Sequence, residues 1–412
     1  HDMSIKEQYW RYSLVAIILL LGILIFFQIL PFFSGILGAM TIYILLRNQM
    51  LYLTERKRMK RSIMAILLLC ETILCFLIPL SIVVWVFVNK LQAINLDPHS
   101  LIAPVEHVAE LIREKCKAPE AAIHFLPGAT QANFIVHAAA LSPIQSVICP
   151  DSGHVYAHEA GSIENTGHKL VPLPSTGGKI SAEQIRKAAA SYYNGGEPNY
   201  ICEPKMVYIS FPTEWGTIYS EQELKEIRKV CDEYEMYLFV DGARLGYGLG
   251  SVKNDLTLEK LAELTDVFYI GGTKCGALFG EALVITNKKL ARKFRTYMKQ
   301  NGAVLAKGWL LGMQFCALLE DDTYEKMTAQ ADAYALEIKA AFKEKGIREY
   351  VDSYTNQLFV ILTEEQAEVL GKEYTFEHQQ DLADGSKVVR FCTSWATTEA
   401  EKDQLIRDIR AL

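Results

Sequence analysis

"DVFYIGGTKCGALFGEALVIT", residues 266–286, joins two β-rich runs, "DVFYI" (266–270) and "EALVIT" (281–286), through a turn with four glycines and one lysine, Lys274. A lysine is costly to bury and easy to leave on a surface. Nothing close to Lys274 in sequence offers a counter-charge, so its placement needs a reason. Outward from this turn the same grammar repeats. Further strand candidates are "AIHFL" (122–126), "QSVIC" (145–149), "KLVPL" (169–173), "KMVYIS" (205–210) and "MYLFV" (236–240). Amphipathic stretches at 130–141, 182–193, 220–234, 288–299 and 324–345 read as helices, and Ser220-Glu-Gln-Glu223 is a capping box. Such alternation predicts a mostly parallel sheet covered by helices on both faces. Beyond about 300, a helix-rich stretch, "QLFVIL" (357–362), "VVRFCTSW" (388–395) and a final helix predict a smaller α+β domain.

Ligands of open α/β sheets bind beyond the carboxyl ends of the strands. Chemistry-bearing residues fall there: Gly128, Ala129 and Thr130 after the first strand, and His154 after the second. Thr213 and Glu214 follow "VYIS", Asp241 follows "MYLFV", and Lys274 follows "DVFYI". Taken singly, Lys274 reads as a solvated turn lysine, Asp241 as a helix cap, His154 as a loop histidine and "PGAT" as a turn into a helix. Their joint position at successive strand ends points to a site. A nucleophilic lysine needs a depressed pKa, which a dry niche of small residues provides by desolvation. An aspartate one strand away can hold a pyridine nitrogen protonated. Lys274 with Asp241 therefore meets the demand of pyridoxal phosphate, bound as a lysine Schiff base with an acidic partner at the ring nitrogen. "PGAT" offers backbone N–H groups and a hydroxyl to the phosphate.

The charge balance divides the 412-residue chain: residues 1–105 hold nine Lys/Arg against five Asp/Glu, and the remainder carries a net charge of −10. That acidic remainder argues against nucleic acid as a partner. Nine scattered cysteines form no CxxC pair and no cluster with zinc spacing, so neither a structural metal nor a disulfide framework is expected. Residues 13–46 carry no charge, and a second apolar run fills 62–88. Both exceed the roughly 20 residues of a membrane span, and the basic loop between them, from Arg47 to Arg61, would face the cytoplasm. Glu71 within the second run reads as a protonated or shared carboxyl. The expected layout is a membrane segment at 1–105 with two or three transmembrane helices, a large cofactor-binding α/β domain at 106–300 and a small domain at 301–412.

Two resemblances extend this reading. Residues 10–107 resemble the autoinducer-2 exporter-like permease family, by pattern alone and without its further spans. "FLPGATQAN" (125–133), "GHVYAHEAGSIENTGHK" (153–169), "PTEWGTIYSEQEL" (212–224), "VDGARLGYG" (240–248), "GGTKCGALFGEALV" (271–284) and "VVRFCTSWATTEAE" (388–401) resemble the threonine aldolase family over about 109–412. That family belongs to the β-eliminating-lyase group of fold type I pyridoxal-phosphate enzymes. The resemblance implies a three-layer sandwich in which Lys274 forms the Schiff base, Asp241 meets the ring nitrogen, and His154 stacks on the ring and helps move protons. Gly128, Ala129 and Thr130 hold the phosphate, with Lys299 reaching in from a neighbouring subunit of a dimer or tetramer, and Arg244 and Arg390 bind the substrate carboxylate. The implied reaction is cleavage of threonine or a related β-hydroxy-α-amino acid to glycine and an aldehyde, with His154 or a water as base. Two departures are Ala129, where the family has glycine, and the missing N-terminal arm before "AELIREKC" (109–116).

A cytoplasmic-type aldolase joined to spans that would place it outside is a topological conflict. One resolution is a turn-back within 62–88 at Pro79, and a second is that the domain does sit outside. Another is a chimeric or mis-assembled reading frame joined near 105–116, with which His1 and Asp2 before Met3 agree. The competing functional readings are a catalytically dead fold fused to a permease fragment and a lyase eliminating at the β-carbon.

Overall fold

The computed structural model describes residues 40–412 except 42, 45, 58, 73, 75–77 and 94–97. The chain divides into two compact units, His1–Asn95 and Leu96–Leu412.

In the first unit the expected run at 13–46 lies almost wholly outside the described residues. The second run falls largely within the described residues. It contains the helices Arg61–Thr72, 12 residues, and Ile78–Ala93, 16 residues. Pro79 sits in the first turn of the latter, where a missing N–H is tolerated. Among the described residues no helix is long and apolar enough to cross a membrane. Neither transmembrane helices nor the permease resemblance is supported for 62–88, where the described helices are 12 and 16 residues long. Glu71 is exposed near the end of the first helix.

The second unit is built on a seven-stranded sheet of β1 (Ala122–Leu126), β2 (Gln145–Pro150), β3 (Lys169–Leu173), β4 (Glu203–Ser210), β5 (Tyr237–Asp241), β6 (Val267–Gly271) and β7 (Glu281–Ile285), in the order β1-β7-β6-β5-β4-β2-β3. All neighbouring pairs are parallel except those of β7, which runs antiparallel between β1 and β6. The central strands read as unbroken apolar runs because helices cover both faces. Every residue of β6 and of β7 is buried. One core cluster carries Ile148, Val207, Ile209, Leu238 and Val240, and the other carries Val147, Met206, Tyr208 and Phe239, so alternate residues of the same strands serve opposite faces.

The helices follow local signals. Ser220 caps Glu221–Glu233 by accepting from the Glu223 N–H, while the Glu223 carboxylate accepts from the Ser220 N–H at 2.7 Å, a box whose serine contributes about 1 kcal/mol. The expected helix over 288–299 is instead two short ones, Lys288–Ala291 and Phe294–Gln300, because Lys293 between them adopts φ 65°.

A four-stranded antiparallel sheet, order β10-β11-β9-β8, follows: β8 (Glu349–Val351), β9 (Gln357–Leu362), β10 (Glu377–Asp381) and β11 (Lys387–Cys392). The long helix Thr323–Glu344 connects the two sheets physically. Its Tyr324 and Ala331 join the large core, while Ala335, Ile338 and Phe342 pack with Leu358, Val360 and Phe391 of the small one.

Candidate active site

Lys274 follows β6 in a turn that only glycine-rich sequence can make. Gly276 and Gly280 adopt φ values of 109° and 103°, a region hostile to other residues. The turn closes through Gly272 N–H to Gly280 O at 3.1 Å, and the Tyr247 hydroxyl donates to the Lys274 carbonyl at 2.6 Å. Burial, and then the Arg244 guanidinium nearby, hold the Lys274 ammonium below its ordinary pKa. The lone lysine is therefore a shielded group of lowered basicity rather than a solvated surface charge.

Asp241 ends β5 and is 4 % exposed. Its Oδ2 accepts from the Tyr208 hydroxyl at 2.5 Å and from Asn133 Nδ2 at 3.1 Å, and its Oδ1 accepts from the Ala243 N–H at 2.9 Å. Burial alone pushes a carboxyl up. Here the Tyr208 phenol, the nearby Tyr269 hydroxyl and the Ala243 N–H outweigh burial and keep the carboxyl below its usual range. The turn that delivers the Ala243 N–H requires Gly242, where a Cβ would lie 1.8 Å from the Tyr269 carbonyl oxygen.

His154 opens a short helical turn after β2. Its Nδ1 meets Glu159 Oε1 at 2.8 Å, and Glu159 also accepts from Asn133 at 2.6 Å and from Ser162 at 2.7 Å. The Glu159 bond raises the His154 pKa against the opposing effect of burial. Glu214, after β4, is fixed by one oxygen only: Oε1 accepts from the Ser210 hydroxyl at 2.6 Å and from the His154 N–H at 2.9 Å. Although the residue is only half-buried, its Oε2 is shielded from solvent and has no hydrogen-bond partner among the described residues.

Ala129, His154, Ser210, Pro212, Glu214, Asp241, Ala243, Arg244 and Lys274 line one small cavity. Beside it begins the helix Ala129–Ala140, whose Gly128 cap provides no side-chain acceptor for the first N–H groups. A Cβ at Gly128 would meet nothing within 4 Å, so the space before this helix end is open. An ionised acid, a lysine of depressed basicity and an open, uncapped helix terminus together fit a flat pyridine carrying a phosphate. A larger cleft in the small domain, bordered by Leu370, Tyr374, Phe391 and Leu405, has acids but no lysine of depressed basicity: its lysine, Lys402, is held above its ordinary pKa by Glu337 and Asp403.

Four expected residues are absent from the lining: Gly128 and the exposed Thr130, at the helix start beside it, and two that stand apart. Arg390, on β11, is not in the lining: its guanidinium pairs with Glu377 and donates to Gln357 Oε1 at 3.2 Å, leaving Nε without a partner among the described residues. Lys299 is exposed on Phe294–Gln300. Conversely, Asn133, Glu159, Tyr208 and Tyr269 belong to the site's polar network but were not singled out from sequence, while Glu214 was noted there only for its place after β4. Asn133 was detectable as a polar residue one helical turn beyond Ala129 on a buried face.

Comparison with known proteins agrees with this geometry. The beta-eliminating lyase family model matches residues 103–365, well over half of the chain. The low-specificity L-threonine aldolase of Pseudomonas sp. (strain NCIMB 10558) is 31% identical over 317 residues, covering 74% of this chain and 86% of its own. That of Pseudomonas aeruginosa is 30% identical over 298 residues, covering 70% and 82%. Among solved structures, the threonine aldolase of Leishmania major superposes with a TM-score of 0.74 at 40% identity, over 79% of this chain and 94% of its own. An aspartate aminotransferase of Thermus thermophilus, at 14% identity and a TM-score of 0.56, shares the fold.

Proposed function

Because the chain belongs to the beta-eliminating lyase family, we infer that it is a pyridoxal-phosphate-dependent carbon–carbon lyase that cleaves L-threonine and related β-hydroxy-α-amino acids to glycine and an aldehyde. The observation that carries this reading is the shared cavity of Lys274, with its lowered pKa, and Asp241, kept ionised although buried. The cofactor, when bound, supplies an electron sink for the pair released from the Cα–Cβ bond.

The chain's own residues divide the remaining tasks. Lys274 offers the amine. The Asp241 carboxylate supplies a fixed negative charge for the ring nitrogen, and Tyr208, Asn133 and the Ala243 N–H hold it in position. His154, braced by Glu159, presents its ring beside the same cavity. The N–H groups at Ala129 and Thr130, with the Thr130 hydroxyl, take the phosphate. Arg244 binds the substrate carboxylate, and Arg390 joins it by exchanging Glu377 for the substrate. Lys299 reaches a neighbouring subunit's phosphate in a dimer or tetramer. In this arrangement 106–300 forms the cofactor-binding body and 301–412 carries Arg390.

The intact Lys274, Asp241 and Arg244 set argues against a dead fold. Loading the protein with pyridoxal phosphate, trapping with borohydride and mapping the modified peptide should place the label on Lys274. Threonine should then yield glycine and acetaldehyde. Release of ammonia and a 2-oxo acid instead would assign a β-elimination and overturn the aldolase reading.

A further inference from the structure

We propose that Glu214 is a catalytic residue, the base that receives the β-hydroxyl proton of the substrate through its free Oε2. The inference rests on the aldolase reading above and names the proton acceptor it lacks.

The geometry is that of a carboxylate held by one end. Ser210 and the His154 N–H fix Oε1, at 2.6 and 2.9 Å, while Oε2 has neither solvent nor a protein donor among the described residues. A shielded acceptor without a partner is costly unless a ligand supplies the donor. Glu214 lines the cavity that also holds Lys274 and Arg244, so a substrate whose carboxylate meets Arg244 brings its hydroxyl into that neighbourhood.

The surroundings suit a base. Burial, together with the Asp241 charge, pushes the Glu214 carboxyl up, against the opposing hydrogen bonds from Ser210 and the His154 N–H. The titratable groups around it are Tyr208 on β4, Asp241 on β5, His154 with Glu159 behind it, Cys149 on β2, the buried Tyr219, and Lys274 and Arg244 in the same cavity lining. A carboxylate of raised pKa is a stronger base than an exposed one and works best when that pKa nears the working pH. His154 is placed less well for the task, because the Glu159 contact favours its charged form, which has no free ring lone pair.

The step balances. The hydroxyl proton passes to Glu214 Oε2, the O–H bonding pair becomes the second bond of the aldehyde carbonyl, and the Cα–Cβ bond breaks with its pair left toward Cα. One proton leaves oxygen and one returns to Cα, so no co-reactant is consumed.

Glu214→Gln keeps the size and the Oε1 contacts but removes the base. Its threonine cleavage should fall by about 10²-fold or more at little changed KM. Loading at Lys274 and exchange of the glycine Cα hydrogen in deuterated water, which needs no hydroxyl base, should stay within about threefold of wild type. In the cofactor-free protein, the infrared band of a protonated carboxyl that titrates above the ordinary glutamate range should disappear in the variant. Wild-type-like cleavage by Glu214→Gln overturns the proposal. So does parallel loss of loading and glycine exchange, which would mark Glu214 as a packing residue. Wild-type protein that exchanges glycine but does not cleave threonine would instead overturn the aldolase reading, and the proposal with it.

Discussion

Two aspartates lie almost equally deep in this molecule and meet opposite fates. Asp241, 4 % exposed at the end of β5, is held ionised by hydroxyl, amide and backbone donors. Asp332, 2 % exposed on the helix Thr323–Glu344, has no hydrogen-bond partner for either oxygen among the described residues, and burial pushes it up to about 9. Depth alone therefore does not determine charge; donors do. Strand ends deliver donors, because neighbouring strands and the turn beyond them converge there. A helix face packed on another element does not, since its backbone donors are already used in the helix.

The comparison can be broken first at Asp241. Asp241→Asn keeps shape but removes the charge, and kcat/KM for threonine should fall by about 10²–10³-fold, the range for losing one preorganised electrostatic contact. A variant within threefold of wild type would deny the carboxylate its role at the ring. The contrast is sharpened by Tyr208→Phe, which moves Asp241 toward the condition of Asp332. Losing a buried hydrogen bond to a charged group costs about 1.5–3 kcal/mol, measurable by denaturant unfolding. The sign with pH follows from linkage. Asp241 has a depressed folded pKa, so its contribution is present above the unfolded value and is lost as pH falls through the folded one. In Tyr208→Phe that acid loss should begin at higher pH.

Asp332 should behave in the reverse sense. Its folded pKa, about 9, lies above the ordinary 3.8, so the native state binds the extra proton and its contribution to stability is lost as pH rises from about 4 toward 9. Asp332→Asn should flatten that slope, by about 1.4 kcal/mol per pH unit, and raise stability at pH 8 by several kcal/mol, with activity unchanged. Thermal or urea unfolding at pH 5 and pH 8 measures it, and a variant with an unaltered slope would show that Asp332 is ionised at no cost.

Much of the large sheet was legible from local pattern. β1 and β3 run over the residues expected, because short apolar runs bounded by turn residues have few alternatives in an α/β chain. The order of strands along the sheet was not legible, since register between distant segments leaves no mark in either segment alone. β8 and β10 were missed for a different reason: one is three residues long, and the other is the polar, largely exposed "EHQQD", whose pairing with β11 comes from position rather than composition. At 288–299 the amphipathic pattern was right, but Lys293 breaks the backbone. In the run 62–88, hydropathy described the residues but not the length of helix they form.

By itself, the sequence determined the residues that bear the chemistry: a lysine among glycines, an aspartate ending an apolar strand and a helix start without a capping side chain. These are local features, because turns, strand ends and caps depend on neighbours along the chain. Only the tertiary structure decided their protonation. It brought Tyr208 and Asn133 to Asp241, set Arg244 near Lys274, fixed one oxygen of Glu214 while leaving the other bare, and paired Arg390 with Glu377 outside the cavity. The physical reason is that a pKa is set by burial and by charges and donors within a few ångströms, and those come from strands far apart in sequence.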